Sequence, residues 1–274
     1  MMIRCIIYSV CMCFLSFSSL ASTPLQKETF HLFLLMGQSN MAGYGMIMPE
    51  DRKVLDGVYM LRDSVEKGQT YSWVPANQPI HARLQSDRFC LAGPFAEAYR
   101  MVYPRTVVGL VPVAYGGASV IQMEKGTKVY AEAVAKAKWA KEQGCLKAVL
   151  WHQGESDTVS PVTATAYERR LTKLIHDLRT DLNDPDLLVI VGDLAPFYGI
   201  GKDHSAPQRV EQIEQVRTAL RHIADKLPSI GYVETDGLQS HDHHQVHFDR
   251  ESYVILGLRY MDVYWKIRRT NYGQ

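Results

Sequence analysis

Several stretches of this chain are apolar at nearly every position and then stop abruptly in a polar cluster. "FHLFLLMG" (30–37) runs into Gln38-Ser39-Asn40. "TVVGLVPVAYGG" (106–117) ends in paired glycines, and "CLKAVLWHQGES" (145–156) ends in a glutamine, a glycine and a glutamate. "LLVIVGDL" (187–194) is a further run of the same kind. A strand with no polar face must be covered on both sides, as in a parallel sheet flanked by helices. Helical patterns lie between the runs, at 94–103, 129–144 and 165–182, around 210–223, and at 251–267. Right-handed crossovers then give an α/β three-layer α/β/α sandwich with a central parallel sheet. Ligands bind such sheets beyond the carboxyl ends of the strands. The clusters "GQSN", "YGGAS" and "WHQGESD" should therefore meet on one rim. "HDHHQVHFD" (241–249), just before the last helix, can close it.

Residues 1 to about 22 read as a signal peptide. Arg4 gives a positive start, Cys5 to Leu20 an apolar core, and Ser19-Leu20-Ala21-Ser22 a small-residue cleavage site. Serines interrupt that core, so no stable membrane span is expected in the mature form. Secretion or a periplasmic location follows. Residues 23–274 read as a single domain. A net charge of +1 offers no basic excess for nucleic acid. Outside the leader only Cys90 and Cys145 remain, too few for a disulfide framework and open as to pairing. The spacing of His241, His243, His244 and His247 is irregular, which favours a solvated loop over a metal site. Neither a metal nor another cofactor is expected.

A serine hydroxyl attacks only with a base in reach, an acid to orient the base, and donors where an oxyanion forms. Ser39 can attack and His247 can be the base. The N–H groups of Ser39 and of Gly116 or Gly117, with the Gln153 amide, can hold the oxyanion. Glu155 lies close to Gln153 in sequence. Gln38 and Asn40 can hydrogen-bond the rim loops or the substrate, or merely shape the turn. Each has a plainer reading. Ser39 could be an N-cap, Gly116-Gly117 a simple turn, and Asp157 a cap or loop residue. Asp249 is placed as the N-cap of the last helix. One of Trp151 and His152 should face the core by alternation. Tyr115, Met123 and the region of Arg88 are a guess at the substrate surface.

"GQSNMAG", "YGGASV", "WHQGESD" and "VHFD…LGLRY" occur in this order. Together they resemble the SGNH-hydrolase superfamily, in the branch of carbohydrate esterase family six and the sialate O-acetylesterase-like domain, over about residues 29–266. The resemblance implies a flavodoxin-like esterase that removes acetyl groups from acetylated glycan or sugar substrates. It implies Ser39 as nucleophile, His247 as base, and Gly116, Gly117 and Gln153 as oxyanion partners. The family often carries an aspartate three residues before the histidine, where this chain has His244. Glu155, on a rigid strand end, is placed first as the orienting acid. Asp242 is the alternative, and a Ser–His dyad held by a carbonyl the third. An esterase or lipase on other short-chain or lipid esters, and a glycan-binding protein that has lost catalysis, are the rival functions.

Overall fold

The computed structural model describes residues 26–272 apart from 67, 69, 82–87, 200–208 and 242–244. The leader, Asp242 and His244 lie outside the described residues.

The central sheet has seven strands in the order β4-β3-β6-β1-β7-β8-β9. These are β1 (Phe30–Gly37), β3 (Val58–Asp63), β4 (Tyr71–Pro75), β6 (Val107–Ala114), β7 (Cys145–His152), β8 (Leu188–Gly192) and β9 (Ile230–Val233). All neighbours pair parallel except the antiparallel edge pair β3–β4. A separate two-stranded ladder joins β2 (Gly45–Met46) to β5 (Arg88–Phe89). The helices are the short α1 (Ser39–Ala42), then α2 (Ala92–Val102), α3 (Lys128–Lys141), α4 (Pro161–Asp181), α5 (Val210–Lys226) and α6 (Arg250–Tyr272).

Strand alternation sends side chains of β1 to opposite layers. Phe30, Leu32, Leu34 and Met36 pack in one core cluster with residues of α3, α4 and α5. Phe33 and Leu35 pack in the other, with residues of α2 and α6. The rings of Phe95, Tyr99 and Tyr264 stand edge-on to Phe33 at 4.8, 4.9 and 5.8 Å. The apolar runs are therefore strands covered on both faces. Among the described residues no helix is long and apolar enough to cross a membrane. Cys90, in the α2–α6 layer, and Cys145 are both free thiols. Burial pushes the Cys90 thiol up to about 11, so it stays protonated and inert.

The chain order creates the crevice. From β1 the chain passes to β3 and β6 on one side of the sheet, then crosses to β7 on the other side of β1. This reversal is a topological switch point, where the loops after β1, β6 and β7 diverge and leave room for a ligand. Gly37 lets β1 and β7 finish side by side. Its φ is +148°, and a Cβ there would strike the carbonyl oxygen of His152. That oxygen accepts the N–H of Gln38 at 3.0 Å, which fixes where the chain leaves the strand.

Candidate active site

All three strand-end clusters meet on this rim, joined by hydrogen bonds. Gln38 Oε1 accepts from Gln153 Nε2 at 3.1 Å, Gly154 N at 3.4 Å and Ser156 N at 3.2 Å. Tyr115 N donates to Gly37 O at 3.0 Å. Ser156 Oγ donates to Gly117 O at 2.9 Å, and Gln153 Nε2 to Ala118 O at 3.1 Å. The histidine loop joins through Asn40, whose Nδ2 donates to Val246 O at 3.0 Å. Residues from four distant parts of the sequence thus form one polar cluster.

Ser39 opens α1 and is 4% exposed. The capping position belongs to Gln38, and no side chain caps this helix. Ser39 is therefore not an N-cap. Among the described residues no hydrogen bond holds its hydroxyl. Across the crevice, Ala118 N bonds back to Tyr115 O at 3.2 Å, closing a turn centred on Gly116 and Gly117. Gly117 sits at φ +72°, the left-handed value that favours glycine at this turn position. Both glycines are exposed, so their backbone is open to a ligand.

His247 is half-buried in the loop before α6. Its ring stacks on Tyr44 with centroids 3.8 Å apart and planes 13° apart. Ser240 Oγ donates to His247 O at 3.0 Å. Asp249 caps α6 as expected, accepting from Ser252 N at 2.7 Å.

Several expected roles change once burial is visible. For Gln38 and Asn40, 3% and 0% exposed, the structure selects the rim-loop reading over substrate contact. Asn40 Nδ2 donates to Glu155 Oε1 at 2.6 Å as well as to Val246 O, and its Oδ1 accepts from Tyr253 OH at 2.9 Å. Gln153, expected as an oxyanion donor, is 0% exposed. Its two amide hydrogens face three interior acceptors, Gln38 Oε1, Ala118 O and Asp157 Oδ2, the last at 2.6 Å. All three partners accept, which fixes which end of the amide is nitrogen. Asp157 is a fully buried strut rather than a cap, taking Val120 N at 2.9 Å and Gln153. Trp151 and His152 are both buried. Burial drops the His152 imidazole to about 3, so it is neutral beside Tyr260. Met123 lies in the core, and the Tyr115 hydroxyl bonds Glu132.

Glu155 was placed first to orient the histidine. Its carboxylate instead takes Asn40, and Oε2 is buried without a hydrogen-bond partner. Among the described residues, its link to the histidine loop runs through Asn40. Burial pushes its carboxyl up, against the opposing hydrogen bond from Asn40. That disfavours the charge an imidazolium partner would need.

A folded-state pKa above the unfolded one stabilises most at low pH. The contribution is lost as pH rises from the ordinary glutamate range through the folded value. Glu155→Gln keeps the acceptor for Asn40 and cannot ionise. The stability of the wild type relative to Glu155→Gln should therefore fall as pH rises from about 4 to 8, read by urea unfolding at each pH. A constant difference would show that this carboxyl does not titrate with folding.

The family model described as carbohydrate esterase, sialic acid-specific acetylesterase, matches residues 29–266. A probable carbohydrate esterase of Arabidopsis thaliana is 32% identical over 251 residues, covering 85% of this chain and 89% of that protein. The crystal structure of the Arabidopsis protein superposes with a TM-score of 0.71 at 29% identity, over 86% of this chain and 98% of that one. NanS shares the fold at a TM-score of 0.71 and 14% identity, over 90% of this chain and 99% of its own. A carbohydrate acetylesterase from Xanthomonas citri shares it at 0.62 and 17%, over 86% of this chain and 56% of its own. With its sheet order, its rim and these matches, the chain belongs to the sialic acid-specific acetylesterase family of carbohydrate esterases and is a carboxylic ester hydrolase.

Proposed function

We propose that this protein is an exported serine esterase that removes O-acetyl groups from a carbohydrate through an acetyl-enzyme on Ser39. The observation that carries the reading is the convergence on one rim of the sheet. A serine hydroxyl that bonds nothing among the described residues, just beyond β1, lies on the same rim as an exposed double-glycine turn and a histidine loop. Ser39 Oγ attacks the acetyl carbonyl, and His247 takes its proton. The N–H groups of Ser39 and of Gly116 or Gly117 receive the oxyanion. The first N–H groups of a helix have no partner within it, which leaves that of Ser39 available. His247 then passes the proton to the departing sugar hydroxyl. Water repeats the sequence on the acetyl-enzyme, with His247 again as base. No cofactor enters these steps.

Gln153 acts here as the brace of the glycine turn. Glu155 acts through Asn40, and Asp242 is the carboxylate proposed to face the imidazolium. The leader read at residues 1–22 supports a secreted or periplasmic location, where acetylated glycans are accessible. A panel of substrates tests the reading: acetylated xylan, O-acetylated sialic acids, and p-nitrophenyl esters from acetyl to octanoyl. Acetate release from an acetylated glycan, with acetyl preferred among the aryl esters, is expected. A profile peaking at long chains would make this a lipid or aryl esterase. Glycan binding with no ester cleaved would make it a lectin-like relative.

A further inference from the structure

Tyr44 stands between two partners. The His247 ring is stacked at 3.8 Å and 13°, and Arg88 Cζ lies 3.6 Å from the same ring centroid. Two groups this close to one centroid must occupy opposite faces. The result is a three-layer stack of guanidinium, phenol and imidazole.

The small ladder builds this stack. Gly45 pairs with Phe89 and Met46 with Arg88. Arg88 is therefore diagonal to Tyr44 across two antiparallel strands, within reach of a long side chain. On its other side Tyr44 follows the short helix that Ser39 opens, with only Gly43 between. The chain from Ser39 to Phe89 thus carries both the serine and the plate against which His247 rests. The Tyr44 hydroxyl lies 3.6 Å from where a Cβ on Gly116 would stand, so the ring also reaches across to the glycine turn.

We infer that Tyr44, clamped by Arg88, is the positioning residue that sets the plane of the His247 ring for proton transfer with Ser39. The inference rests on the proposed reading of Ser39 and His247. The physical case is geometric. A general base works only when its lone pair points at the proton, and an imidazole hinged at Cβ can swing and rotate about its bonds. A near-parallel aromatic plate 3.8 Å away removes that tilt by close packing against the ring face. Arg88 over the opposite face holds the plate, because a cation against an aromatic face is itself attractive. The Glu155 carboxylate bonds Asn40, so stacking adds a restraint on the imidazole of a different kind from that carboxylate's. His241, its ring centroid 6.4 Å from that of His247, is the other described aromatic neighbour on that side.

Tyr44→Phe keeps the plate and Tyr44→Leu removes it. The expected result is kcat within about twofold of wild type for the phenylalanine variant. For the leucine variant, kcat should be about 10-fold lower or more, with KM little changed, since small misplacements of a reacting group cost factors of this size. Arg88→Met should lower kcat by a smaller factor in a protein that keeps the Tyr44 ring. In NMR spectra, His247 ring protons should carry an upfield ring-current shift in wild type and Tyr44→Phe, and lose it in Tyr44→Leu. Wild-type kcat in Tyr44→Leu, or equal loss in the two Tyr44 variants, would overturn the inference. So would a His247 shift that does not respond to loss of the ring. Ser39→Ala, assayed in parallel, separates the two claims. If it is inactive while Tyr44→Leu is unimpaired, only the stacking role fails. If Ser39→Ala retains activity, the underlying reading fails.

Discussion

Ser39→Ala is expected to lower kcat on p-nitrophenyl acetate and on acetylated glycan by about 10⁴-fold or more, with stability within about 0.5 kcal/mol of wild type. The two halves of this expectation rest on different observations. The Ser39 hydroxyl caps no helix and bonds nothing among the described residues, so its removal breaks no structural contact. In the proposed mechanism it is the group that forms the covalent bond. Without it the oxyanion donors and the substrate contacts persist, and they supply only the residual acceleration that such sites show over water. His247→Ala should approach the same loss, because a serine without its base is a poor nucleophile. A large loss of stability in Ser39→Ala would mean that the hydroxyl is structural. An unchanged kcat would mean that chemistry runs through another group.

The second large effect is expected at Asn40. Its side chain joins three elements while fully buried: Glu155 in the turn that follows β7, Val246 in the histidine loop, and Tyr253 in α6. Asn40→Ala would remove three hydrogen bonds at once and take the donor from the buried Glu155 carboxyl. A lost hydrogen bond costs about 1 kcal/mol and a buried group left unsatisfied about 1–3 kcal/mol, so destabilisation of about 3 kcal/mol is expected. Because Val246 precedes His247, kcat should also fall, by about 10-fold to 100-fold. Tyr253→Phe removes the bond to Asn40 Oδ1 while leaving the links to Glu155 and Val246, and should cost about 1 kcal/mol with little change in kcat. Urea unfolding and initial rates on both variants check this. If Asn40→Ala keeps both its midpoint and its kcat, the tether between serine segment and histidine loop has no energetic content.

The sheet was legible because its inner strands, β1, β6, β7 and β8, are apolar at almost every position. Burial on both faces is a property that composition alone reveals. The two edge strands, β4 and β9, were not legible. β4, "YSWVP", is half-exposed and antiparallel at an edge, and its small polar and proline residues mask the pattern. β9, "IGYV", is four residues long and contains a glycine. The ladder of β2 and β5 has two residues per strand, too short to carry any period.

In the site, the segments were legible and the side-chain directions were not. Gln38, Asn40 and Gln153 are polar residues at the rim, and polarity beside a reactive serine suggests contact with substrate. The fold turns all three inward, where each satisfies the backbone of a neighbouring loop. Polar groups at buried strand ends must find such partners, so this inward use follows from burial that the sequence does not display. For the same reason the sequence suggests a cap or loop residue at Asp157, where burial makes it a strut. Tyr44 had no signal at all, since its two partners lie 44 and 203 residues further along the chain. Arg88 entered only as part of a guessed surface.

The central claim is that Ser39 carries the acyl group, and covalent trapping tests it most directly. The native protein is treated with a fluorophosphonate probe, digested and mapped by mass spectrometry. The account predicts one adduct, on Ser39, with loss of esterase activity in proportion to labelling and no adduct in Ser39→Ala. An adduct on a different residue, or full activity in a protein labelled stoichiometrically at Ser39, would contradict it.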